Sequence, residues 1–125
     1  MKETRPIYLD LTTMKFPLMA ICSILHRISG VLLFLLFPIM LYFWDMSLKN
    51  AGTFADLTLW LKECFFCKLT CWLFASAILY HLFAGLRHMV MDCGYGESVP
   101  VGRQTAAAVI GLAIMASLIV GIWLW

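Results

Sequence analysis

The sequence predicts an all-α membrane protein, with three transmembrane helices in a small bundle and the N-terminus cytoplasmic. Two observations predict the class. Hydrophobic residues make up 63% of the 125 positions and charged residues 13%, a balance too apolar for a soluble domain of this length. The apolar residues also gather into three runs long enough to cross a bilayer core, which takes about 20 helical residues. The net charge of +2 is small, and the basic residues sit at the ends of apolar runs, where they set membrane orientation rather than form a nucleic-acid patch.

Residues 1–20 mix charge with Pro6 and Pro17. They lack the basic start, short apolar core and small-residue cleavage site of a signal peptide, and read as an N-terminal cytoplasmic arm ahead of a transmembrane domain over 21–125. The first span covers about 21–44. Ser23, His26 and Arg27 lie at its start, and a dense apolar run from Val31 ends on Phe43 and Trp44, which suit the opposite interface. The connection from Asp45 to Glu63 is polar, but Phe54, Leu57, Leu61 and Phe65 recur at near-helical spacing and suggest a short interfacial helix. The second span, about 65–91, exceeds the minimum length and so permits tilt. Gly94-Tyr95-Gly96 through Pro100 breaks it. The third span, about 105–125, carries no charge and offers Ala107 with Gly111 and Ser117 with Gly121 as small-residue pairs for helix contact.

Three crossings put Lys2, Arg5, Lys15, Arg27, Arg87 and Arg103 on the N-terminal side, against Lys49, Lys62 and Lys68 opposite. The positive-inside rule makes the N-terminal side cytoplasmic, or matrix-facing in an organelle. No Arg- and Ser-rich transit sequence is evident, which favours a bacterial inner membrane. Five cysteines, Cys22, Cys64, Cys67, Cys71 and Cys93, lack the spacing of a disulfide framework, and no Cys-x-x-Cys-His is present for covalent haem attachment. Cys64, Cys67 and Cys71 have helical spacing, but thiols in an apolar helix ordinarily behave as small hydrophobes.

The informative polar group is His81, set inside an apolar run and followed by Gly85, His88 and Asp92 on one helical face. An intramembrane histidine needs a partner. A metal-centred cofactor is one reading, and a hydrogen bond to a neighbouring helix is the other. Gly85 lacks the side chain that would hold a flat macrocycle off the helix; it serves equally well as a helix-packing residue. His81 is expected deep in the bilayer, with His26 and His88 near the cytoplasmic edge. These unequal depths imply that a second axial ligand, if haem is bound by two histidines, comes from another subunit. On the first span Ser23, Arg27, Gly30 and Phe34 share a face. A hydroxyl and a guanidinium one turn apart suit a quinone carbonyl or a haem propionate, while an arginine alone at this level is commonly a snorkelling anchor. His26 and Ser29 project from an adjacent face.

Arg5-Pro6 through Leu9-Asp10-Leu11, Lys15-Phe16-Pro17 and Ser23-Ile24-Leu25-His26-Arg27-Ile28-Ser29-Gly30 form one signature. His81-Leu82-Phe83-Ala84-Gly85-Leu86-Arg87-His88, continued by Met91-Asp92-Cys93-Gly94-Tyr95, forms a second. With these two signatures at this spacing, the chain resembles the cytochrome b membrane-anchor subunits of succinate dehydrogenase, the larger of the two small anchors of respiratory complex II. The resemblance implies one haem b shared with the smaller membrane-anchor subunit, and ubiquinone bound where the anchors meet the iron–sulfur subunit, which passes electrons from the flavoprotein subunit. It implies His81 as haem axial ligand, Ser23 and Arg27 as quinone-binding residues, and His26, Arg27, Gly85 and His88 as neighbours of the haem or its propionates. No succinate site is expected in this chain, because it has too little extramembrane sequence to build one. An anchor of a quinol:fumarate reductase and a cofactor-free structural or transporter subunit are the competing readings.

Overall fold

A computed structural model describes Asp10 and residues 12–125. Arg5, Pro6, Leu9 and Leu11 of the first signature therefore lie outside the described residues, as does half of the expected arm. Four helices follow in order: α1 (Leu18–Lys49), α2 (Ala51–Glu63), α3 (Phe65–Asp92) and α4 (Val99–Leu124). Helices α1, α3 and α4 are each long and apolar enough to cross a membrane. Their rise of 1.5 Å per residue makes them about 48, 42 and 39 Å long against an apolar core of about 30 Å. All three extend beyond that core, so the helix ends lie at headgroup depth.

Pro17 and Pro100 each lie at a helix start, whereas Pro38 sits inside α1. Pro17 is the N-cap of α1, in extended conformation, and its carbonyl accepts the first helical bonds from the Ala20 and Ile21 amides at 2.9 and 3.2 Å. The helix thus begins three residues before the expected 21 and runs on to Lys49 rather than 44, because Asp45 and Lys49 pair across one turn at 3.0 Å outside the apolar run. Pro100 lies in the first turn of α4, where its missing N–H is among those no helix satisfies. The third helix accordingly starts at Val99, not 105, and it carries a charge, Arg103. The intervening turn uses Gly94 and Gly96 at φ +84° and +76°, a region costly for residues with a Cβ. Before α1, the Thr12 hydroxyl and amide donate to the Asp10 carboxylate at 2.6 and 3.0 Å and hold it below the usual carboxylate range.

The expected interfacial helix is α2. Asn50 and Thr53 form a reciprocal capping box at its start, and Trp60 meets Phe43 of α1 edge-on at 5.8 Å. Cys64 ends α2 and begins α3, its thiol accepting from the Cys67 amide at 3.3 Å. Among the described residues no group of three or more His, Cys, Asp or Glu side chains is arranged to hold a metal ion.

Each of the three long helices packs on the other two. The core consists of small residues, Cys22 from α1, Ala84 from α3, and Ala106 and Val109 from α4, with Leu18, Met19, Tyr80, Phe83 and Ile110 around them. Lipid offers helices no hydrophobic reason to associate, so close approach at small side chains supplies the contact. The expected α4 pairs divide. The Ser117 hydroxyl bonds the Ser76 hydroxyl at 2.7 Å, its carbonyl accepts from the Trp72 indole at 2.9 Å, and Gly121 lies against that indole. Ala107 and Gly111 instead face away from the bundle. Gly102, Ala106, Val109 and Ala113 form the buried seam.

Candidate functional site

The α1–α3 seam holds three imidazoles. His26 stacks on His81 with ring centroids 4.1 Å apart and planes inclined by 20°, and His88 is tilted against His26 at 5.2 Å. The structure changes the expected depths. His26 lies about 12 Å along α1 from Leu18, while His81 and His88 lie about 16 and 6 Å from the Asp92 end of α3. Because α1 starts at Leu18 and runs antiparallel to α3, His26 falls between the other two and meets both.

A glycine faces each ring of the stacked pair. A Cβ at Gly30 would sit 3.2 Å from His81 Cε1, and one at Gly85 would sit 3.4 Å from His26 Nε2. The two helices therefore present the same four-residue pattern, His26 to Gly30 and His81 to Gly85. Run antiparallel, each histidine enters the space left by the other helix's glycine. The space over Gly85, expected to clear a macrocycle, is taken by the His26 ring.

Hydrogen bonding sets the His81 tautomer. The Ser29 hydroxyl, on a residue 93% buried, donates to the His26 carbonyl at 2.7 Å, which turns an oxygen lone pair toward His81 Nδ1 at 2.9 Å. The same carbonyl oxygen lies 3.2 Å from Nδ1. Two acceptors converge on this nitrogen, so it carries the proton and Nε2 keeps its lone pair. Ser29, which the sequence places only on a face adjacent to Ser23 and Arg27, is thus the residue that orients His81. The available signal is its one-turn spacing from His26, which puts both on the face that meets α3. His26 Nε2 is buried with no hydrogen-bond partner, a condition that costs about 1–3 kcal/mol unless some group meets it.

Ser23 and Arg27 do not join the cluster. Ser23 is half-buried, Arg27 is exposed with no hydrogen bond or ion pair among the described residues, and Phe34 farther along the same face is 79% exposed. This face points away from α3 and α4, toward whatever lies beside the bundle. Arg87, counted in the sequence only for orientation, is buried against α4. Its Nε donates to the Thr105 hydroxyl and one Nη to the Gly102 carbonyl, both at 3.1 Å.

Three helices long and apolar enough to cross a membrane, with an imidazole cluster in the α1–α3 seam and a hydroxyl–guanidinium face turned outward, define a multi-pass membrane protein. Comparison with known proteins narrows the class. Residues 1–120 match the family described as succinate dehydrogenase/fumarate reductase transmembrane subunit, and the chain belongs to that family. It is similar to the succinate dehydrogenase cytochrome b556 subunit of Coxiella burnetii, 46% identical over 125 residues and the whole of both chains. It is also 33% identical over 123 residues to the succinate dehydrogenase cytochrome b560 subunit of Reclinomonas americana, covering 95% of this chain and 85% of that one. With the succinate dehydrogenase cytochrome b556 subunit of Rickettsia typhi it shares 31% identity over 115 residues, 92% of this chain and 89% of the other.

Proposed function

We propose that this chain is the haem b- and ubiquinone-binding membrane anchor of a succinate dehydrogenase, helping electrons from succinate oxidation pass through an iron–sulfur subunit to quinone. The observation that carries the proposal is the state of His81. Metal-ligating histidines characteristically donate their second ring N–H to a carbonyl or hydroxyl, which fixes the tautomer and raises the basicity of the ligating nitrogen. Ser29 and the His26 carbonyl engage His81 Nδ1 in this way, so the donor set fits an axial ligand binding iron through Nε2. The unpartnered Nε2 of His26 fits as well, since a propionate beside the cluster would satisfy it.

His26 is unsuited to be the second ligand. Two imidazoles stacked face to face at 4.1 Å leave no room for a macrocycle between them, so His26 and His81 would not hold one haem as a pair. The second ligand is assigned to the smaller companion anchor, and the haem is one, shared between the two chains. When bound, it supplies a one-electron carrier inside the apolar bundle.

Arg27 and Ser23 stand on the outward face, with donors free for a quinone oxygen. Their place near the start of α1 keeps them close to water, from which reduction of a quinone must draw two protons. Arg27, exposed there, also suits a propionate. His88 and Gly85 complete the wall of the cluster. The iron–sulfur subunit docks at this end, which we assign to the cytoplasmic side of a bacterial inner membrane, and passes on electrons from the flavoprotein subunit.

The test is His81→Tyr in the assembled complex, followed by reduced-minus-oxidised visible spectra. The cytochrome bands should be lost or shifted to a high-spin form. Unchanged spectra at full haem occupancy would remove His81 from the role and the proposal with it.

A further inference from the structure

The junction of α2 and α3 sets a Cys-x-x-Cys sequence, Cys64-Phe65-Phe66-Cys67, across the start of a helix. Cys64 is the N-cap of α3, with extended backbone at φ -85° and ψ 106°, and Cys67 is the third residue of that helix. An N-cap side chain turns back over the first turn toward the amide three residues on. The Cys64 sulfur does so, accepting from the Cys67 amide at 3.3 Å. Cys67 and Cys71 are related differently, since both lie within the helix. Side chains one turn apart there have Cβ atoms about 5–6 Å apart, wider than the roughly 3.5–4.5 Å a disulfide spans. Cys64, outside the helical backbone, is not held to that spacing.

The two thiols of the pair are also unlike. Cys67 is only 7% exposed, whereas Cys64 is half-buried. Hydrogen bonds from the Cys67 side chain and amide hold the Cys64 thiol below the ordinary cysteine range. The amides at the start of a 28-residue helix favour a thiolate in the same place. Lys62, Glu63 and Lys68 flank the pair, so Cys64 stands at water level, at the end of the bundle opposite Ser23 and Arg27. The proposed orientation makes that end periplasmic, a compartment in which disulfides form and persist.

We propose that Cys64 and Cys67 are a thiol–disulfide exchange pair, in which Cys64 attacks a low-molecular-weight disulfide and Cys67 resolves the adduct. The Cys64 thiolate bonds to one sulfur of the external disulfide, whose S–S bond breaks and releases a thiolate that takes a proton from water. Cys67 then gives its proton to water and bonds to the Cys64 sulfur, expelling the second external thiolate, which is protonated in turn. Two protein thiols become one disulfide, and two electrons leave with the external disulfide as it is reduced to two thiols. Burial keeps Cys67 from reacting first. The product ties the N-cap of α3 to its first turn and so fixes the junction with α2.

The test adds oxidised glutathione to the complete assembled complex, blocks the remaining thiols by alkylation and maps tryptic peptides by mass spectrometry. Cleavage after Lys62 and Lys68 isolates residues 63–68, which contain Cys64 and Cys67 and no other cysteine. In wild type this peptide should lose two hydrogens and carry no glutathione. Cys67→Ser should trap one glutathione on Cys64. Cys64→Ser, which keeps an N-cap oxygen, should leave Cys67 a free thiol. A glutathione adduct that persists on Cys64 in wild type would overturn the proposal, because Cys67 would then not reach it. An unmodified wild-type peptide, or glutathione on Cys67 in Cys64→Ser, would overturn it as well. If either variant does not assemble, the wild-type peptide decides the matter alone.

Discussion

Ser29→Ala is the perturbation that most directly probes the proposed haem ligand. The hydroxyl accepts from His81 Nδ1 at 2.9 Å while donating to the His26 carbonyl at 2.7 Å. Its removal deletes one of two acceptors on that nitrogen, and the His26 carbonyl remains at 3.2 Å. The ring should therefore keep its tautomer with a weaker hydrogen bond. A net bond is worth about 0.5–1.5 kcal/mol, and the retained carbonyl makes the lower half of that range appropriate. An acceptor on Nδ1–H raises the basicity of the ligating nitrogen and so favours ferric over ferrous iron. Losing it should raise the potential. At about 59 mV per tenfold for one electron, a preference of 0.5–1 kcal/mol corresponds to roughly 20–40 mV. Spectroelectrochemical titration of the complex, with haem per polypeptide measured alongside, reads this shift. Ser29→Thr, which restores the hydroxyl, should return the potential toward wild type. A potential unchanged or lowered in Ser29→Ala at full haem occupancy would refute the reasoning, because Ser29 would then not act through His81.

Gly30→Leu should prevent the stacked arrangement, since even a single Cβ there stands 3.2 Å from His81 Cε1; overpacking costs about 1–3 kcal/mol, read as reduced haem per complex. Gly85→Ala, whose Cβ meets His26 Nε2 at 3.4 Å, should be the milder change in the same assay. Ser23→Ala and Arg27→Leu should slow succinate oxidation with a quinone acceptor while leaving the rate with an acceptor upstream of the membrane unchanged. Losses of about 1 and about 1.5–3 kcal/mol correspond to roughly fivefold and roughly ten- to hundredfold in rate. Normal quinone kinetics in both would return the Arg27 face to the role of interfacial anchor. Ser76→Ala removes the bond to Ser117 at 2.7 Å and should cost about 0.6 kcal/mol, the usual worth of an interhelical side-chain bond in a bilayer, measurable by detergent-titrated unfolding of the complex.

The class of fold, the three crossings and the interfacial helix were legible from hydropathy and periodicity alone. The reason is that lipid cannot hydrogen-bond a backbone, so any apolar run of sufficient length must satisfy itself as a helix. Ends were less legible, because Pro17 and Pro100 read as breaks although proline is at home in a first helical turn. The sequence also singles out His81, His26, His88 and Gly85, since an imidazole in an apolar run stands out, and the structure gathers them at one seam. Which of them touch was decided only by packing. The start of α1 and its antiparallel pairing with α3 set the register, and that register brings His26 into the gap at Gly85, His81 into the gap at Gly30, and Ser29 onto Nδ1. Arg87 was counted for orientation; its burial against Gly102 and Thr105 depends on how α4 leaves the Gly94–Gly96 turn. Periodicity places a residue on a face of its own helix, but the rotation and shift that choose its neighbour come from contacts among small side chains on several helices at once.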